Sequence, residues 1–549
     1  MRVLVADPLS EAGLGVLKTR GLSVDVRTGL KEDELVRVVE GYEALIVRSA
    51  TQVTRRILEA GTHLRVVGRA GVGVDNIDEP AATERGILVM NAPLGNTLSA
   101  AEHTFALLLS LARRIPQAVA SLKAGKWDKK SFAGIEVNGK ALGIIGFGRI
   151  GREVGFRARA FGMRVLVFDP YISKEVAREA GVEIATMERL LSDADFITIH
   201  TPLTAETQKL LGAEELARMK KGSYLLNVAR GGIVDEAALA AALQSGHLAG
   251  AALDVFADEP PNAPQLIGQA HFVGTPHLGA STAEAQEKVA LQIAEQVADY
   301  LLEGKITNAV NMPHPVEAAL QPYVDLAYGM GSFATQLAQG QPEEVNVLCR
   351  GDVARFDTHA VATAALAGVL SRSAEGTNLI NAEKRARDHG IRFIQSKTEN
   401  PQDYAASIEV VLRTEAGETR LLGTSLARLG PRIVQVNGYE VEVKPSGRFL
   451  VIQHRDQPGT IAKISTVLGR ENINIAQMVV GRLEARGPAV SILRVDDPVP
   501  PGVVEEIRKA LGLPTVRYVT VTPLGSAGRK EEASQRKPAR IERGVVDNP

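Results

Sequence analysis

The sequence has little cysteine, few aromatic residues and no excess of either charge. Cys349 is the only cysteine in 549 residues, which excludes internal disulfides and thiolate metal clusters and favours a reducing compartment. Lys and Arg together number 63 against 64 Asp and Glu, so the net charge is −1, and aromatic residues make up only 4%. These proportions exclude a globally basic nucleic-acid-binding protein that stacks bases on aromatic side chains.

Long apolar runs are also missing. No run reaches the roughly 18 residues of a membrane-spanning helix, and the N-terminal segment MRVLVADPLSEAG lacks the apolar core of a signal peptide. Hydrophobic residues make up 45% and charged residues 23%, which are ordinary values for globular protein. We therefore expect a cytoplasmic protein of three or four domains, at roughly 150 residues each, that binds neither membranes nor nucleic acid.

Two α/β patterns follow each other in the first part of the chain. Short β-rich runs separated by helix-length spacers occupy residues 1–90. A second series of apolar runs, suited to strands buried on both faces, occupies residues 141–255. Long helices are predicted at the junctions, over 97–114 and 284–304. This organisation predicts two parallel-sheet domains with a cleft between them.

The pattern changes after about residue 310. Pro313 and Pro315 mark a linker, and the following residues mix helices with amphipathic, antiparallel strands. From residue 448 the order strand–helix–strand–strand–helix–strand predicts a ferredoxin-like domain. The polar residues 524–549, of mixed charge, predict a disordered tail. The expected fold class is therefore α/β, with two Rossmann-like parallel-sheet domains followed by an α+β intervening domain and a ferredoxin-like domain.

A glycine-rich turn directly follows an apolar run in the second α/β pattern. Gly146, Gly148 and Gly151 have the spacing G-x-G-x-x-G and open a predicted helix, and the next strand ends at Asp169. A tight turn, a helix N-terminus facing a pyrophosphate and an acid for the ribose hydroxyls are typical of dinucleotide binding. An acid at this position would repel a 2′-phosphate, so the pattern predicts NAD rather than NADP.

Three charged or ionisable side chains follow predicted strands, where open α/β sheets place their sites: Arg230, Glu259 and His277. An arginine can pair with a carboxylate beside a reacting carbonyl. A histidine can accept the proton of an alcohol, and a carboxylate behind it fixes its tautomer. The alternative is that they are loop caps and a surface histidine. Their position beside a dinucleotide site favours a catalytic role.

The sequence resembles the D-isomer-specific 2-hydroxyacid dehydrogenases in the segments GKALGIIGFGRIG, NVARGGIVDE and TPHLGASTAEAQ. The long members of this family carry an intervening domain and an ACT domain. The similarity to these long members covers about residues 1–523. It implies Arg230, Glu259 and His277 as the catalytic set and NAD as the cofactor. It further implies oxidation of 3-phospho-D-glycerate, the first step of L-serine biosynthesis, by a homo-oligomeric enzyme, a dimer or a tetramer.

The resemblance also ranks residues that the spacing alone leaves unranked. It implies further cofactor-binding residues at Arg149, Ile150, Thr201, Ala229, Asp254 and Gly279. It implies substrate-binding residues at Arg48, Arg69, Gly73, Val74 and Asn96. Arg48 and Arg69 each end a predicted strand and would supply cations for the phosphate. Without the resemblance, both would be taken as ordinary surface arginines.

The resemblance implies domain boundaries and a regulatory site as well. The implied domains are a substrate-binding domain at 1–90 and 281–308, an NAD-binding domain at 91–280, an intervening domain at 312–445 and an ACT domain at 448–523. In regulatory ACT domains, positions like Asp456 and Asn474, paired across a two-chain interface, bind a free amino acid, here L-serine. His454 is a further candidate contact. Capping and turn chemistry is the alternative for an isolated Asp and Asn.

Two other functions stay open from the sequence. The same fold could serve a D-2-hydroxyacid reductase acting on glyoxylate, hydroxypyruvate or 2-oxoglutarate, which a comparison of phosphorylated and unphosphorylated substrates would reveal. A different class is an NAD-sensing, corepressor-like binding protein that has the fold without turnover. The intact set of Arg230, Glu259 and His277 counts against the second.

Overall fold

The computed structural model describes residues 1–312, 316–374, 376–512 and 515–524. The linker residues Pro313 and Pro315, and the predicted tail beyond residue 524, lie outside the described residues. Within the described part of the chain, no single helix is long and apolar enough to cross a membrane. The helices Thr97–Arg113 and Ile115–Lys123 meet that criterion only as a pair, and the pair is bent by 66°.

The first sheet consists of parallel strands in the order β2-β1-β3-β4-β5. Its strands are β1 (Arg2–Val5), β2 (Ser23–Val26), β3 (Ala44–Val47), β4 (Val66–Arg69) and β5 (Leu88–Asn91). The helices between them are α1 (Glu11–Thr19), α2 (Glu32–Val39), α3 (Arg55–Ala60) and α4 (Glu79–Arg85). Helices cover both faces of the sheet, which is why all four residues of β3 are apolar and buried.

The second sheet begins after two helices, α5 (Thr97–Arg113) and α6 (Ile115–Lys123). Its parallel strands are β6 (Ala141–Ile145), β7 (Arg164–Phe168), β8 (Glu183–Ile184), β9 (Phe196–Ile199), β10 (Tyr224–Asn227), β11 (Gly250–Leu253) and β12 (Phe272–Gly274). Its helices are α7 (Arg149–Ala160), α8 (Lys174–Ala180), α9 (Met187–Asp193), α10 (Ala213–Arg218), α11 (Glu236–Gln244) and α12 (Pro264–Ile267). The strand order β12-β11-β10-β9-β6-β7-β8 reverses between β6 and β9, where such sheets bind ligands at their carboxyl ends.

The long helix α13 (Ala283–Glu303) returns the chain to the first sheet. Its Ile293 and Val297 pack over β4 at Gly68, where an added Cβ would lie 2.9 Å from each of them. Gly304 ends the helix in the left-handed conformation that glycine adopts most readily. The first unit is therefore built from two segments of the chain: its strands come from the first segment and the helix α13 from the second, with the second sheet inserted between them.

The third sheet has the order β14-β13-β15-β16-β17-β18 and is mixed. Its strands are β13 (Pro342–Gly351), β14 (Arg392–Thr398), β15 (Ala406–Thr414), β16 (Gly417–Leu426), β17 (Gly430–Val436) and β18 (Tyr439–Val443), and its helices are α14 (Gln321–Leu337), α15 (His359–Leu370) and α16 (Ala382–Asp388). Helix α16 is preceded by a turn, because Asn378 and Asn381 accept hydrogen bonds from nearby backbone N–H groups.

The last unit has the predicted βαββαβ order. It comprises β19 (Gly447–Arg455), α17 (Thr460–Arg470), β20 (Ile475–Arg482), β21 (Pro488–Val495), α18 (Pro501–Leu511) and β22 (Val516–Val521). The sheet order β20-β21-β19-β22 leaves β20 at one edge. The face away from α17 and α18 packs on α14, where the rings of Phe333 and Phe449 lie 5.5 Å apart. The intervening unit and the last unit thus share one hydrophobic core.

Candidate active site

A cavity of about 270 Å³ opens at the carboxyl ends of the second sheet's strands. It brings together many of the predicted residues, namely Asn96, Arg149, Ile150, Thr201, Ala229, Arg230, Asp254, His277 and Gly279. Val72 and Pro93 close it from the side of the first sheet. These nine predicted residues therefore surround one space between the two parallel-sheet units, whereas Gly146, Gly148, Gly151, Asp169 and Glu259 are not among the residues that line it.

The glycine turn after β6 is shaped so that only glycine fits at two of its positions. Gly146 has a φ of +90°, and a Cβ there would lie 2.7 Å from the carbonyl oxygen of His200. A Cβ on Gly151 would lie 2.2 Å from the carbonyl oxygen of Gly146. Gly148 caps the N-terminus of α7 and has open space before it. The turn thus presents bare backbone and a helix N-terminus, which suits a pyrophosphate.

Asp169 follows β7 and lies against this turn. Its Oδ2 accepts a hydrogen bond of 2.7 Å from the N–H of Phe147, inside the glycine turn. Its Oδ1 accepts a bond of 2.8 Å from the N–H of Tyr171. The carboxylate is therefore held in one place beside the turn, as a group that binds ribose hydroxyls must be.

Three buried polar atoms of the cavity wall have no hydrogen-bond partner among the described residues: Asn96 Oδ1, His200 Nδ1 and Thr201 Oγ1. The other ring nitrogen of His200 lies 3.0 Å from Thr198 Oγ1. Burial lowers the pKa of His200 to about 3, so its imidazole stays neutral. Unpaired buried polar atoms are costly. The cavity therefore fits a ligand rich in hydrogen-bonding groups, as a nicotinamide dinucleotide is.

His277 and Glu259 form a direct pair. His277 Nδ1 lies 2.8 Å from Glu259 Oε2, so in the neutral ring the N–H is on Nδ1 and the lone pair is on Nε2. The second carboxylate oxygen of Glu259 accepts a bond from the N–H of Phe256, which fixes the acid. His277 has a φ of +54°, and its N–H donates to the carbonyl oxygen of Asp254. The position of the imidazole ring is thus fixed both by the backbone hydrogen bond of His277 to Asp254 and by its side-chain contact with Glu259.

Asp254 organises the loop that carries His277. Its carboxylate accepts bonds of 2.7 Å from the N–H of Leu278 and 2.8 Å from that of Gly279. His103 of α5 adds a third donor, since its Nε2 lies 3.1 Å from Asp254 Oδ1. Burial raises the pKa of Asp254, but its hydrogen bonds outweigh burial and the pKa is lowered. Asp254 is therefore an ionised anchor for this loop.

Arginine side chains converge on the opposite side of the cleft. Arg69 is largely buried, and burial, with the nearby charges of Arg230 and Arg48, lowers its pKa to about 10, although the carboxylates of Asp75 and Asp7 act in the opposite direction. Its Nε is buried with no hydrogen-bond partner among the described residues. Arg48 follows β3, and its N–H donates to the buried carboxylate of Asp7 at 2.6 Å. A buried guanidinium with an unpaired donor, close to two like charges, calls for an anionic ligand.

Arg230 connects this cluster to the second sheet. Its Nε donates a 3.0 Å bond to Asp75 Oδ2, and its Nη1 donates a 2.7 Å bond to the carbonyl oxygen of Ala229. A Cβ on Gly73 would lie 1.9 Å from Arg230 Nη2, so a side chain at this position would displace the end of Arg230. Val72 lines the cavity, whereas Gly73 and Val74 stand beside it.

The chain matches known families in three segments. Residues 105–279 match the D-isomer specific 2-hydroxyacid dehydrogenase NAD-binding domain, residues 319–437 the D-3-phosphoglycerate dehydrogenase intervening domain, and residues 448–512 the ACT domain. A D-3-phosphoglycerate dehydrogenase of Synechocystis sp. is 44% identical over 517 residues, which cover 93% of each chain. The chain belongs to the D-3-phosphoglycerate dehydrogenase family. It is an NAD-dependent oxidoreductase.

Solved structures similar to this family member cover just over half of its chain. The TT0316 protein of Thermus thermophilus is 39% identical, with a TM-score of 0.52, over 56% of this chain and 100% of that chain. The D-lactate dehydrogenase of Aquifex aeolicus, complexed with NAD and lactic acid, is 28% identical, with a TM-score of 0.51, over 57% of this chain and 100% of that chain.

The ACT residues of this dehydrogenase do not meet within one chain. Asn474 Nδ2 donates a 2.6 Å bond to Asp496, at one end of the sheet. Asp456 accepts a 2.9 Å bond from Arg482 Nη1, at the other end. His454 lies near the Asp456 end, with its Nε2 2.7 Å from Ser491 Oγ. A ligand that touches both ends requires a second chain.

Sequence reasoning missed three residues of the site: His103, His200 and Asp75. His200 follows β9, and the rule that found Arg230 after β10 would have found it. His103 and Asp75 do not directly follow a strand. One lies inside a helix and the other in a loop, and each meets its partner only in the folded chain.

Proposed function

We propose that the chain oxidises 3-phospho-D-glycerate to 3-phosphooxypyruvate with NAD⁺, as the entry step to L-serine. The observation that carries the proposal is the buried Nε of Arg69, which has no hydrogen-bond partner among the described residues. Arg48 and Arg230 are close enough to interact with Arg69 electrostatically. A polyanion with a phosphate at one end and a carboxylate at the other matches such a cluster. The His277–Glu259 pair stands across the same cleft.

In this proposal residues 1–90 with 281–308 hold the substrate and residues 91–280 hold NAD. The cofactor fits the glycine turn at Gly146, Gly148 and Gly151, the acid at Asp169, and the unpaired polar atoms of the cavity wall. When bound, NAD⁺ supplies a nicotinamide that accepts the hydride from C2 of the substrate. Arg149, Ile150, Thr201, Ala229 and Gly279 line the space where it would lie.

His277 acts as the base in this proposal. Its Nε2 takes the proton of the substrate hydroxyl as the C2–H bond is broken, and the imidazolium that results faces the Glu259 carboxylate. The pair also fixes which nitrogen is free, because Nδ1–H is committed to Glu259. Arg230 holds the substrate carboxylate and stabilises negative charge on the developing carbonyl oxygen.

The phosphate and the carboxylate take different donors. Arg48 directly follows β3 and Arg69 ends the neighbouring strand β4, so both lie at the carboxyl edge of the first sheet. They would bind the phosphate. Arg230 and the backbone N–H groups of Gly73 and Val74 would bind the carboxylate. Asn96 presents an unpaired Oδ1 to the same cavity.

We propose regulation by L-serine through the ACT unit at 448–523, which the intervening unit at 312–445 joins to the catalytic part. Edge strand β20 exposes 41% of Met478 and 40% of Val480. Antiparallel pairing of this edge with the same edge of a second chain would place Asn474 of each chain beside the Asp456 end of the other. Such a dimer would close a site for the two charged groups of an amino acid, with His454 beside it.

The test of the proposed reaction is NADH formation by the purified protein with 3-phospho-D-glycerate and, separately, with D-glycerate. We expect kcat/KM to be higher for the phosphorylated acid by about 10²-fold or more, because two charge-assisted contacts are lost with the phosphate. Reduction of glyoxylate, hydroxypyruvate or 2-oxoglutarate by NADH is measured in parallel. Higher kcat/KM for one of these, with no preference for the phosphate, would support the reductase instead.

A further inference from the structure

Asp75 and Arg230 form a salt bridge across the cleft. Asp75 lies in the loop after β4, on the side of the first sheet, and Arg230 follows β10 of the second sheet. Asp75 Oδ2 accepts a 3.0 Å bond from Arg230 Nε, although the two residues are 155 positions apart in the chain. The side chain of Asp75 is 65% exposed and that of Arg230 27%. The contact thus joins the two units at the mouth of the site.

The Asp75 carboxylate lies where a substrate carboxylate is expected. The proposed function places that carboxylate between Arg230 and the backbone at Gly73. The side chains of Arg230 and Asp75 both lie next to Gly73 in the structure. A Cβ built on Gly73 would lie 1.9 Å from Arg230 Nη2 and 2.6 Å from Asp75 Oδ2. The carboxylate of Asp75 therefore already lies beside Gly73 and is bonded to Arg230.

We propose that Asp75 is an internal competitor of the substrate, which occupies Arg230 in the ligand-free protein and must release it when a carboxylate binds. This inference rests on the proposed function only for the position of the substrate carboxylate. Because the released form alone binds substrate, the apparent affinity is the intrinsic affinity reduced by the released fraction. An exposed salt bridge shifts such an equilibrium by about two- to fivefold.

The test compares the wild-type protein with Asp75→Asn, which keeps the shape of the side chain and removes its charge. Steady-state kinetics give KM for 3-phospho-D-glycerate and for D-glycerate. Calorimetry gives the Kd of each acid for the NADH-loaded protein. We expect all four values to fall about two- to fivefold in Asp75→Asn, by the same factor for both acids, since both carry the same carboxylate. The matched control is Asp33→Asn, which removes an exposed carboxylate paired with Arg56 on α2 and α3; it should change none of them.

Three outcomes would overturn the proposal. A rise in the Kd of both acids would show that Asp75 holds Arg230 in place for the substrate. An unchanged Kd would show that the salt bridge does not compete. A fall that is larger for the phosphorylated acid and disappears at high salt would indicate only a long-range charge effect. Absence of turnover of 3-phospho-D-glycerate by the wild-type protein would contradict the proposed function, while the Kd for D-glycerate would still decide the role of Asp75.

Discussion

His277 Nδ1 lies 2.8 Å from Glu259 Oε2, and this contact determines which ring nitrogen can accept a proton. A carboxylate accepts hydrogen bonds only, so the histidine N–H must be on Nδ1 in the neutral state. The free lone pair is then on Nε2. The orientation of the ring depends on the loop of Asp254 as well, since His277 has a positive φ and donates its N–H to the Asp254 carbonyl.

Replacement of His277 tests the base directly. We expect His277→Ala to lower kcat by about 10²–10⁴-fold with little change in KM, because the proton is accepted only as the transition state forms. Steady-state kinetics with 3-phospho-D-glycerate measure both constants. Glu259→Gln is the matched variant, since it keeps the shape of the acid but not its charge, and it should lower kcat by a smaller factor. Ordinary turnover by His277→Ala would disprove the assignment.

Cofactor choice should depend on the Asp169 carboxylate. We expect Asp169→Ala to weaken NAD⁺ binding and to narrow the gap to NADP⁺, because the acid that repels a 2′-phosphate is lost. Asp169 also accepts bonds from the N–H groups of Phe147 and Tyr171, so Asp169→Asn serves as a control that keeps an acceptor at this turn. KM values for both cofactors are compared. If neither variant changes the ratio, the ribose does not lie at Asp169.

The site residues that could be predicted from the sequence are those that follow shortly after a strand. The glycine turn follows β6, and Arg230 follows β10, so sheet geometry alone places them at one edge. The pairing of His103 with Asp254 joins residues 151 positions apart, and no local pattern indicates it. For the same reason the sequence did not show that α14 would cover the ACT sheet, although the order of helices and strands in that unit was predicted.

Arg69 should contribute to binding rather than to stability. A charge-assisted bond to a phosphate is worth about 1.5–3 kcal/mol, so Arg69→Ala should raise KM for 3-phospho-D-glycerate about ten- to a hundredfold and have much less effect with D-glycerate. Arg48→Ala should behave in the same way. The exposed Arg56, paired with Asp33, provides the control Arg56→Ala, with no expected change. Equal losses on both acids would show that Arg69 and Arg48 act on the carboxylate or on the fold.

The same variant gives a thermal test. Arg69 buries an unpaired donor, so Arg69→Ala should lower the ligand-free Tm little, although it removes a buried side chain. In the wild-type protein, saturating 3-phospho-D-glycerate should raise Tm, since it binds only the folded state. That rise should be largely lost in Arg69→Ala. A large drop of Tm without ligand would instead assign Arg69 a structural role.

Cys349 should be unreactive in the folded protein. It is buried in β13, and burial raises the pKa of its thiol to about 12. At pH 8 the thiolate, which is the reactive form, is then only about one part in ten thousand. A thiol-specific reagent should therefore label the native protein far more slowly than the protein unfolded in guanidinium chloride. Rapid labelling of the native protein at Cys349 would show that β13 opens on the timescale of the assay.

The last prediction concerns regulation by serine. We expect Asn474→Ala to abolish inhibition by L-serine while kcat/KM without serine stays close to the wild-type value, because the ACT unit acts on the distant cleft only through the arrangement of units or chains. Asn474 is bonded to Asp496, so its loss could also act through that contact. Asp496→Ala separates the two effects: it breaks the same bond and leaves the Asn474 amide free for a ligand, so inhibition should persist.

Inhibition curves for the two variants and calorimetry of L-serine with the wild-type protein decide this prediction together. If Asp496→Ala loses inhibition as completely as Asn474→Ala, Asn474 supports the sheet end rather than the ligand. The proposed site also requires two chains, since Asn474 and Asp456 lie at opposite ends of the sheet in one chain. If dilution of the protein separates it into monomers, its affinity for serine should therefore fall. Calorimetry that detects no serine binding to the wild-type protein would defeat the regulatory proposal and leave the ACT unit as an element of assembly.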